Sequence, residues 1–362
     1  MFLKSLTLFN FKNYGEAELT FAEGVNAFTG NNGSGKTNIL DAIHYLCLCK
    51  SYFNSNDTHS IRHGEAFFSL KGVFELNEKE EEILVVVKNG QKKTIKRNQK
   101  EYPRLGDHIG LLPVVMEAPV DQELIIGGSE ERRKLMDSII CQYDHGYLDD
   151  LIAYNRVLQQ RNALLKQTAR GAHTDASMWQ VWDEQLAGYG HKVHEARKEF
   201  IKNFLPLFTD SYAYLTQEKE FANIQYVSSL EKEHMENLLS KSLQKDLALQ
   251  YTSTGIHKDD LQFTLNDHPV KRIGSQGQQK SVILALKLAQ FHIIKATCGL
   301  KPILLLDDIF DKLDIQRITR LMELVSKETF GQLFITDTQE EHVKSVFETI
   351  GFPLTVFPCR RG

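Results

Sequence analysis

Three short stretches carry residues whose types and spacing suit phosphate chemistry. The first is Gly30-Asn31-Asn32-Gly33-Ser34-Gly35-Lys36-Thr37, which matches G-x-x-x-x-G-K-[ST]. Its glycines allow a tight turn that aims backbone N–H groups at phosphate oxygens. The Lys36 ammonium can reach the β- and γ-phosphates of a nucleotide, and the Thr37 hydroxyl can ligate Mg²⁺. The second is Ile303-Leu304-Leu305-Leu306-Asp307-Asp308, an apolar run ending in two carboxylates. Asp307 can bind Mg²⁺, directly or through water, and Asp308 stands where a base orients attacking water. The third is Ser275-Gln276-Gly277-Gln278-Gln279. Ahead of a helix, Ser275 and the backbone around Gly277 offer a hydroxyl, N–H groups and a dipole end to an anion. A plain helix cap uses the same residues.

These groups work only if folded elements hold them in place. Val25, Ala27 and Phe28 read as a buried strand entering the first stretch. Residues 38–46, apolar at Ile39, Leu40, Ile43 and Leu46, read as a helix leaving it. The N-terminal end of that helix adds partial positive charge to the anion site. The run 303–306 has the all-apolar texture of a buried parallel strand, and 333–336 is another. A helix follows Gly277, with further helices over 314–330 and 340–350. The first 30 residues read as strands around a turn at Asn13-Tyr14-Gly15. More strands are expected at 67–76 and 83–88, with a turn at Asn89-Gly90 and a return strand over 92–97. The segment 109–116 is an apolar strand candidate interrupted by Pro113.

The texture changes in the middle of the chain. From about 129 to 167 it is helical, with Ser129 as a possible cap and Leu151, Tyr154, Leu158 and Leu165 as a stripe. After a loop at 171–175, a second helix opens at Ser177. Trp182, Leu186, Tyr189, Val193, Ala196, Phe200 and Phe204 recur along it at three or four residues, and Pro206 is expected to end or bend it. Two such stripes read as an antiparallel hairpin of helices about 45 Å long. That is long enough to project from a globular head; a compact bundle is the alternative. Strands return at 224–227 and 261–265.

Composition narrows the function classes. With 362 residues the chain can hold more than one domain, and its formal net charge of −4 supplies no global basic field. Any nucleic-acid binding must therefore use local patches. Cys47, Cys49, Cys141, Cys298 and Cys359 are odd in number with no metal-site spacing, and read as reduced thiols. The first residues, MFLKSLTLFNFKNY, lack the pattern of a signal peptide, and no apolar run is expected to approach membrane-span length. A cytoplasmic protein without a membrane partner is expected.

The order of the three stretches is that of ABC-type ATPases: phosphate loop, signature at Ser275, then the Walker B strand. In such ATPases the signature of one protomer closes over phosphates bound by the other. Lys312-Leu313-Asp314 falls at the D-loop position, and Thr336-Asp337-Thr338 at a switch position that often holds His. The chain resembles the RecF family of bacterial recombination and replication-repair proteins over nearly its whole length. The resemblance is carried by LTLFNFKNY, GNNGSGKTNILDAIHYL, GGSEERRKLMD from Gly127, TSTGIHKDDL from Thr252, GSQGQQKSVILALKLAQ from Gly274 and LLLDDIFDKLD from Leu304. It implies an ABC-type head divided by a helical arm, ATP-dependent dimerisation, slow hydrolysis and DNA binding. It also implies work with RecO and RecR in loading recombinase at single-strand gaps, and a part in the SOS response. Lys12, Asp41 and Lys258 depart from the family pattern, which more often shows Arg, Glu and Arg. The segment Lys50-Ser51-Tyr52-Phe53 lacks an arginine that the family tends to carry beside the nucleotide.

The densest basic stretch is Lys88 to Lys100, with Lys92, Lys93, Lys96 and Arg97 on the expected hairpin. Such a patch can lie along single-stranded, gapped or junction DNA through phosphate contacts. The same lysines also guard a sheet edge against pairing. Arg132 and Arg133 are expected to pair with Glu130, Glu131 or Asp137, and His257 reads as a polar junction residue.

The expected fold is an α/β ABC-type ATPase head, mixed sheets with flanking helices, with an inserted helical arm. Lys36 and Thr37 must meet Asp307 at one nucleotide across the length of the chain. The head is therefore assigned to 1–118 and 251–362, and the arm to 119–250. Two other ABC-type readings share this chemistry. A transporter ATP-binding subunit needs a membrane partner. A chromosome-structuring protein of the SMC class needs arms of hundreds of residues.

Overall fold

The computed structural model describes residues 1–171, 175–217, 220–311, 315–324, 331–351 and 353–359. The chain begins with β1 (Phe2–Phe11), β2 (Tyr14–Thr20), β3 (Val25–Thr29) and α1 (Lys36–Leu48). Then come β4 (Phe67–Leu76), β5 (Lys79–Lys88), β6 (Thr94–Arg97), β7 (Lys100–Glu101) and β8 (Val114–Glu117). The middle holds α2 (Glu123–Ile126), α3 (Ser129–Ile140), α4 (His145–Ala169), α5 (Ala176–Thr216), β9 (Ala222–Val227), α6 (Met235–Leu249), β10 (Asp260–Leu265), β11 (His268–Pro269) and α7 (Val270–Ile273). The last part is α8 (Gln276–Cys298), β12 (Ile303–Leu306), α9 (Ile315–Leu324), β13 (Leu333–Asp337), α10 (Glu340–Ile350) and β14 (Leu354–Pro358).

Two compact units result. The first comprises Met1–Gln122, Asp210–Phe221 and Gly274–Gly362, the second Glu123–Thr209 and Ala222–Ile273. The boundaries differ from those expected from sequence at three places, the smallest being residues 119–122, which stay with the first unit. Residues 251–273 join the second unit because β10 pairs with β9, Asp260 opposite Val227 through Leu265 opposite Ala222. Residues 210–221 join the first, where Tyr212 donates to Glu220 and Glu220 accepts from Gln278.

The first unit contains a six-stranded antiparallel sheet in the order β2-β1-β4-β5-β6-β7 and a five-stranded parallel sheet in the order β14-β3-β13-β12-β8. β4 and β5 alternate inward and outward residues, and a two-residue turn joins them. Asn77 and Glu78 there have φ 52° and 63°, the left-handed pair that matches the strands' twist. β3, β12 and β13 are buried at every residue, as strands covered on both faces must be. α1 packs on β1, β4 and β5 of one sheet and on β8 and β13 of the other, so one core serves both.

α8 corrects the expectation that no apolar run reaches membrane-span length. It is long and apolar enough to do so, but 72% of its most apolar stretch is buried inside the protein. It packs on β8, and its apolarity is that of a core helix. Two other expectations are also revised. β8 starts only after Pro113, whose missing N–H cannot join a ladder; its carbonyl accepts from Ile303 N instead. β6 begins at Thr94, which leaves Lys92 and Lys93 in the connection rather than on the strand. The helix expected over 314–330 is described over Ile315–Leu324; residues 314 and 325–330, like the D-loop residues 312–314, lie outside the described ones.

In the second unit α4 and α5 run antiparallel, with Tyr147 meeting Arg197, Asp150 meeting Lys192 and Arg161 meeting Asp183. The helix expected over 129–167 is broken in two. It stops at Cys141 and restarts after Asp144, whose carboxylate caps Tyr147 N at 2.8 Å. Gly128, not Ser129, is the residue that precedes α3. Pro206 neither ends nor breaks α5, which continues to Thr216. Phe200, Phe204, Phe208 and Tyr212 are buried at four-residue spacing, while Pro206 lies on the exposed side. Packing of that stripe outweighs one lost backbone hydrogen bond.

Candidate nucleotide site

The parallel sheet ends its strands on one edge, and that edge collects the polar residues. β3 runs into the glycine loop. Gly30, Gly33 and Gly35 have φ 145°, 79° and 104°, all in the region that favours glycine. A Cβ at Gly30 would sit 2.3 Å from Cys359 O, and one at Gly35 would sit 2.7 Å from Asn13 Nδ2 and Tyr14 Oη. Lys36 is 5% exposed, and its ammonium donates to Gly30 O at 2.7 Å and Asn31 O at 3.2 Å. A cavity of about 500 Å³ opens here, lined by Gly30, Asn31, Asn32, Ser34, Thr338 and Glu340 among others. Ser34 Oγ is buried and has no protein partner, which fits a phosphate oxygen as its acceptor or donor.

The second stretch meets the first. Thr37 Oγ1 donates to both carboxylate oxygens of Asp307 at 3.0 Å, across 270 positions of sequence. The hydroxyl and the carboxylate are hard oxygen donors of the kind Mg²⁺ takes. Thr336, on neighbouring β13, donates its hydroxyl to Asp307 Oδ1 at 2.7 Å and accepts from Asp308 N at 2.8 Å. One side chain therefore ties the Asp307 carboxylate to the Asp308 backbone. Asp308 holds φ 50°, a left-handed conformation that Asp tolerates better than most residues. On the other side, Glu117 O accepts from Asp307 N at 2.9 Å. Glu117, Gln122, Lys280, Asp307 and Asp308 line a cavity of about 30 Å³, room for about one water. Burial raises the pKa of Asp307, against the hydrogen bond from Thr336. Burial, with the charge of Asp121, pushes Glu117 up to about 8, so it is largely a neutral acid near pH 7.

Comparison with known proteins now bears on this geometry. A family model described as an AAA domain matches residues 5–328. The DNA replication and repair protein RecF of Flavobacterium johnsoniae is 48% identical over 349 residues, covering 96% of this chain and 97% of that one. This chain belongs to the RecF family. A solved structure of the recombination mediator protein RecF with ATP, in the RecFOR pathway, is 31% identical with a TM-score of 0.86, covering 93% of this chain and 92% of that one. A solved SMC head bound to the C-terminal winged-helix domain of ScpA covers 96% of this chain and 92% of that one. At 17% identity and a TM-score of 0.56, it shares the fold alone. The ABC-type ATPase fold and the RecF resemblance read from sequence are thus established.

Two of the departures from the RecF pattern turn out to be partners. Lys12 Nζ lies 2.6 Å from Asp41 Oδ2, and the Asp41 side chain is fully buried. The two departures thus form one ion pair in this chain. Asp41 also accepts from Ser51 Oγ at 2.7 Å and Tyr52 N at 2.6 Å, which anchors the segment that lacks the family's arginine. Tyr52 in turn donates to Asp121 at 2.5 Å, and Lys287 reaches Asp121 at 2.9 Å. Lys258, the third departure, sits over the Tyr251 ring at 5.0 Å.

The remaining sequence candidates fall elsewhere. Ser275 is the exposed N-cap of α8, closed by a capping box with Gln278. Neither Ser275 nor Gly277 lines the cavity at the loop or the one at Asp307. At the switch position Asp337 is buried and accepts from Gln339 N at 2.6 Å, while His342 of α10 brings its Nδ1 to 3.5 Å of the carboxylate. Two of the four hairpin cations are occupied. Lys93 donates to Cys49 O at 2.6 Å and Asp57 at 2.8 Å, and Arg97 forks onto Glu81 at 2.7 and 2.8 Å. Lys92 is exposed and Lys96 half-buried. Arg132 pairs with Asp260 at 2.6 Å, and Arg133 donates to Asp259 O and Ser129 Oγ, rather than to the acids nearer in sequence. His257 bonds Tyr154 Oη at 2.7 Å and Thr252 O at 2.9 Å, and burial lowers its pKa to about 4.

Sequence reasoning missed Thr336 and Glu117 as site residues. Their signal is register: Glu117 lies opposite Leu306 in the parallel sheet, and Ile335, just before Thr336, does so on the other side.

Proposed function

We propose that the chain is a slow, ATP-switched DNA-binding protein of bacterial recombinational repair and replication restart, working in the cytoplasm. The observation that carries the reading is Thr37 Oγ1 lying 3.0 Å from both oxygens of Asp307. Thr37 and Asp307 would hold Mg²⁺, which would supply charge neutralisation at the β- and γ-phosphates. The N–H groups of residues 30–37 cradle the phosphates, and Lys36 swings from the loop carbonyls onto them. Asp308 accepts a proton from a water positioned beside it. The water oxygen bonds to the γ-phosphorus as the bond to the ADP oxygen breaks. Thr336 holds the Asp307 carboxylate and the Asp308 backbone during this step.

Ser275 and Gly277 act in trans. Exposed Ser275 and half-buried Gly277, at the N-terminal end of a 23-residue helix, suit phosphates held by a second copy, joined to the first when ATP is bound. ATP binds the joined state better than the separate one and so drives closure on DNA at single-strand gaps or junctions. Hydrolysis releases the clamp and acts as a timer. RecO and RecR are the partners in recombinase loading, with an output to the SOS response. Family membership and the ATP-bound RecF likeness support this part. The hairpin's share of DNA contact falls on Lys92 and Lys96, because Lys93 and Arg97 already serve Asp57 and Glu81. Replacing Lys92 and Lys96 with Gln should flatten the salt dependence of DNA binding by one to two charges' worth, roughly 1–2 in slope. An unchanged slope removes the hairpin from the footprint.

The deciding experiment is the solution mass of Asp308→Asn with Mg²⁺ and either ATP or ADP. A dimer with ATP and a monomer with ADP support the shared site. Monomers in both, with ATP binding confirmed, overturn it for the protein without DNA or partners.

A further inference from the structure

A group of side chains in the second unit plays no part in the chemistry above. His191 projects from α5, His234 is the residue immediately before α6, and Glu236 lies in its first turn. One ligand atom from each, an imidazole nitrogen or a carboxylate oxygen, lies within 4.8 Å of the other two. His191 Nε2 and Glu236 Oε2 are 3.0 Å apart. The rings of His191 and His234 have centroids 5.6 Å apart and are inclined at 64°. They meet edge to face, so their nitrogens can converge on one point instead of stacking past each other.

We propose that His191, His234 and Glu236 form a binding site for a divalent cation of the zinc class. A tetrahedral zinc with ligands about 2.0–2.1 Å away sets them about 3.4 Å from one another. The His191–Glu236 pair is already near that spacing. His234, exposed and at the chain's entry to α6, already has a ligand atom within 4.8 Å of the other two. Two imidazoles and one carboxylate, with a fourth position left for water, suit zinc, nickel, copper or cobalt much better than Mg²⁺ or Ca²⁺, which prefer all-oxygen sets.

The backbone under these three residues is fixed, which separates the group from a chance meeting of mobile surface side chains. Met235 sits between His234 and Glu236 and is fully buried. Its sulfur lies where a side chain at Gly190 would be, 2.3 Å from the Cβ that any other residue would carry. Gly190 immediately precedes His191. The close approach of α5 and α6 therefore occurs at the residues that flank the ligands. Nearby histidine and acid groups are otherwise engaged: His194 bonds Tyr226 Oη at 3.1 Å, and Glu233 pairs with Lys241 at 2.5 Å. A bound cation would tie the start of α6 to α5 and stabilise this part of the second unit by mass action.

The test uses full-length, chelator-stripped protein in excess Mg²⁺, so that the nucleotide site does not compete for the probe. Zn²⁺ is titrated against a chromophoric chelator, and Co²⁺ is added separately to read coordination by visible absorption. The wild type should take up one zinc per chain and give the intense band of four-coordinate cobalt. His191→Ala, His234→Ala and Glu236→Gln should each weaken zinc by about 100-fold or more and abolish that band, since each removes one of only three protein ligands. His145→Ala, an exposed histidine on α4, should change neither. Melting curves without zinc should coincide for wild type and His234→Ala, which shows that lost binding is not lost folding. Equal zinc affinity in the wild type and all three ligand variants, or no wild-type uptake at tens of micromolar zinc, would overturn the proposal.

Discussion

Arg197 in the second unit and Asp307 in the first are 1% and 3% exposed, yet their surroundings differ in what they leave unfinished. Arg197 spends its guanidinium entirely on fixed partners: Tyr147 Oη at 3.1 Å, Ile256 O at 2.8 Å, and Asp259 and Asp137 at 2.9 Å. None of these bonds ends at either cavity described above, although Asp259 Oδ1 is buried without a hydrogen-bond partner. Asp307 shares its oxygens with two hydroxyls and lines a cavity with the largely neutral Glu117, while the buried Ser34 hydroxyl lines a second cavity at the loop. Burial of charge is thus common to both regions. Unspent hydrogen-bonding capacity at the mouths of cavities is what distinguishes the one that can bind and turn over a nucleotide. The physical ground is the cost of isolated buried charge, which a structural cluster cancels internally and a site cancels with its ligand.

That contrast can be broken at its structural end first. Arg197→Met leaves Asp259 and Asp137 without their cation and should cost about 3–5 kcal/mol of stability, read by denaturant unfolding. ATP affinity of the folded protein should stay within about twofold. A small stability loss with a large loss of ATP binding would reverse the assignment of roles. At the other end, Asp307→Asn should lower ATP hydrolysis by about 100- to 1000-fold while leaving stability unchanged or slightly higher, because a carboxylate disfavoured by burial is removed. Phosphate release and a melting curve on the same sample decide this; a melting temperature that falls as far as that of Arg197→Met would make Asp307 structural.

Acid sharpens the comparison because each unit holds a histidine whose pKa desolvation lowers to a similar value. Burial lowers His44 in the first unit and His257 in the second to about 4, from 6.5. Both are neutral in the folded chain, and the unfolded chain binds more protons between those values. Their contribution is full above pH 6.5 and is lost as pH falls towards 4, by at most about 3 kcal/mol each. Unfolding midpoints in denaturant should fall steadily over that window, and His257→Gln should reduce the slope. Glu117, raised to about 8, gains stability as pH falls and partly offsets this trend, so an unchanged slope in His257→Gln is the result that would remove His257 from the account.

The smallest effect separates holding from reacting. Thr336→Val deletes the hydroxyl that joins Asp307 to the Asp308 backbone, and should slow turnover by about 10- to 100-fold, equivalent to a lost bond to a charged group of about 1.5–3 kcal/mol. ATP affinity should move little. An equal loss in affinity and turnover would place Thr336 in ground-state binding.

What the sequence determined by itself about this protein was local. Gly30, Gly33 and Gly35 take positive φ values that favour glycine, and that demand is written in neighbouring residues. The apolar runs of β3, β12 and β13, ending in phosphate or metal chemistry, were legible for the same reason: a strand buried on both faces has no polar positions to spare. The tertiary structure alone decided which distant groups meet. Thr336 became a site residue through strand register, Lys12 found Asp41 across 29 positions, and β10 was drawn into the second unit by pairing with β9. It also decided that Lys93 and Arg97 are already paired and that α5 passes through Pro206. Each of these outcomes rests on contacts between segments far apart in sequence. Their free energy exceeds the local preference, and no window of neighbouring residues contains it.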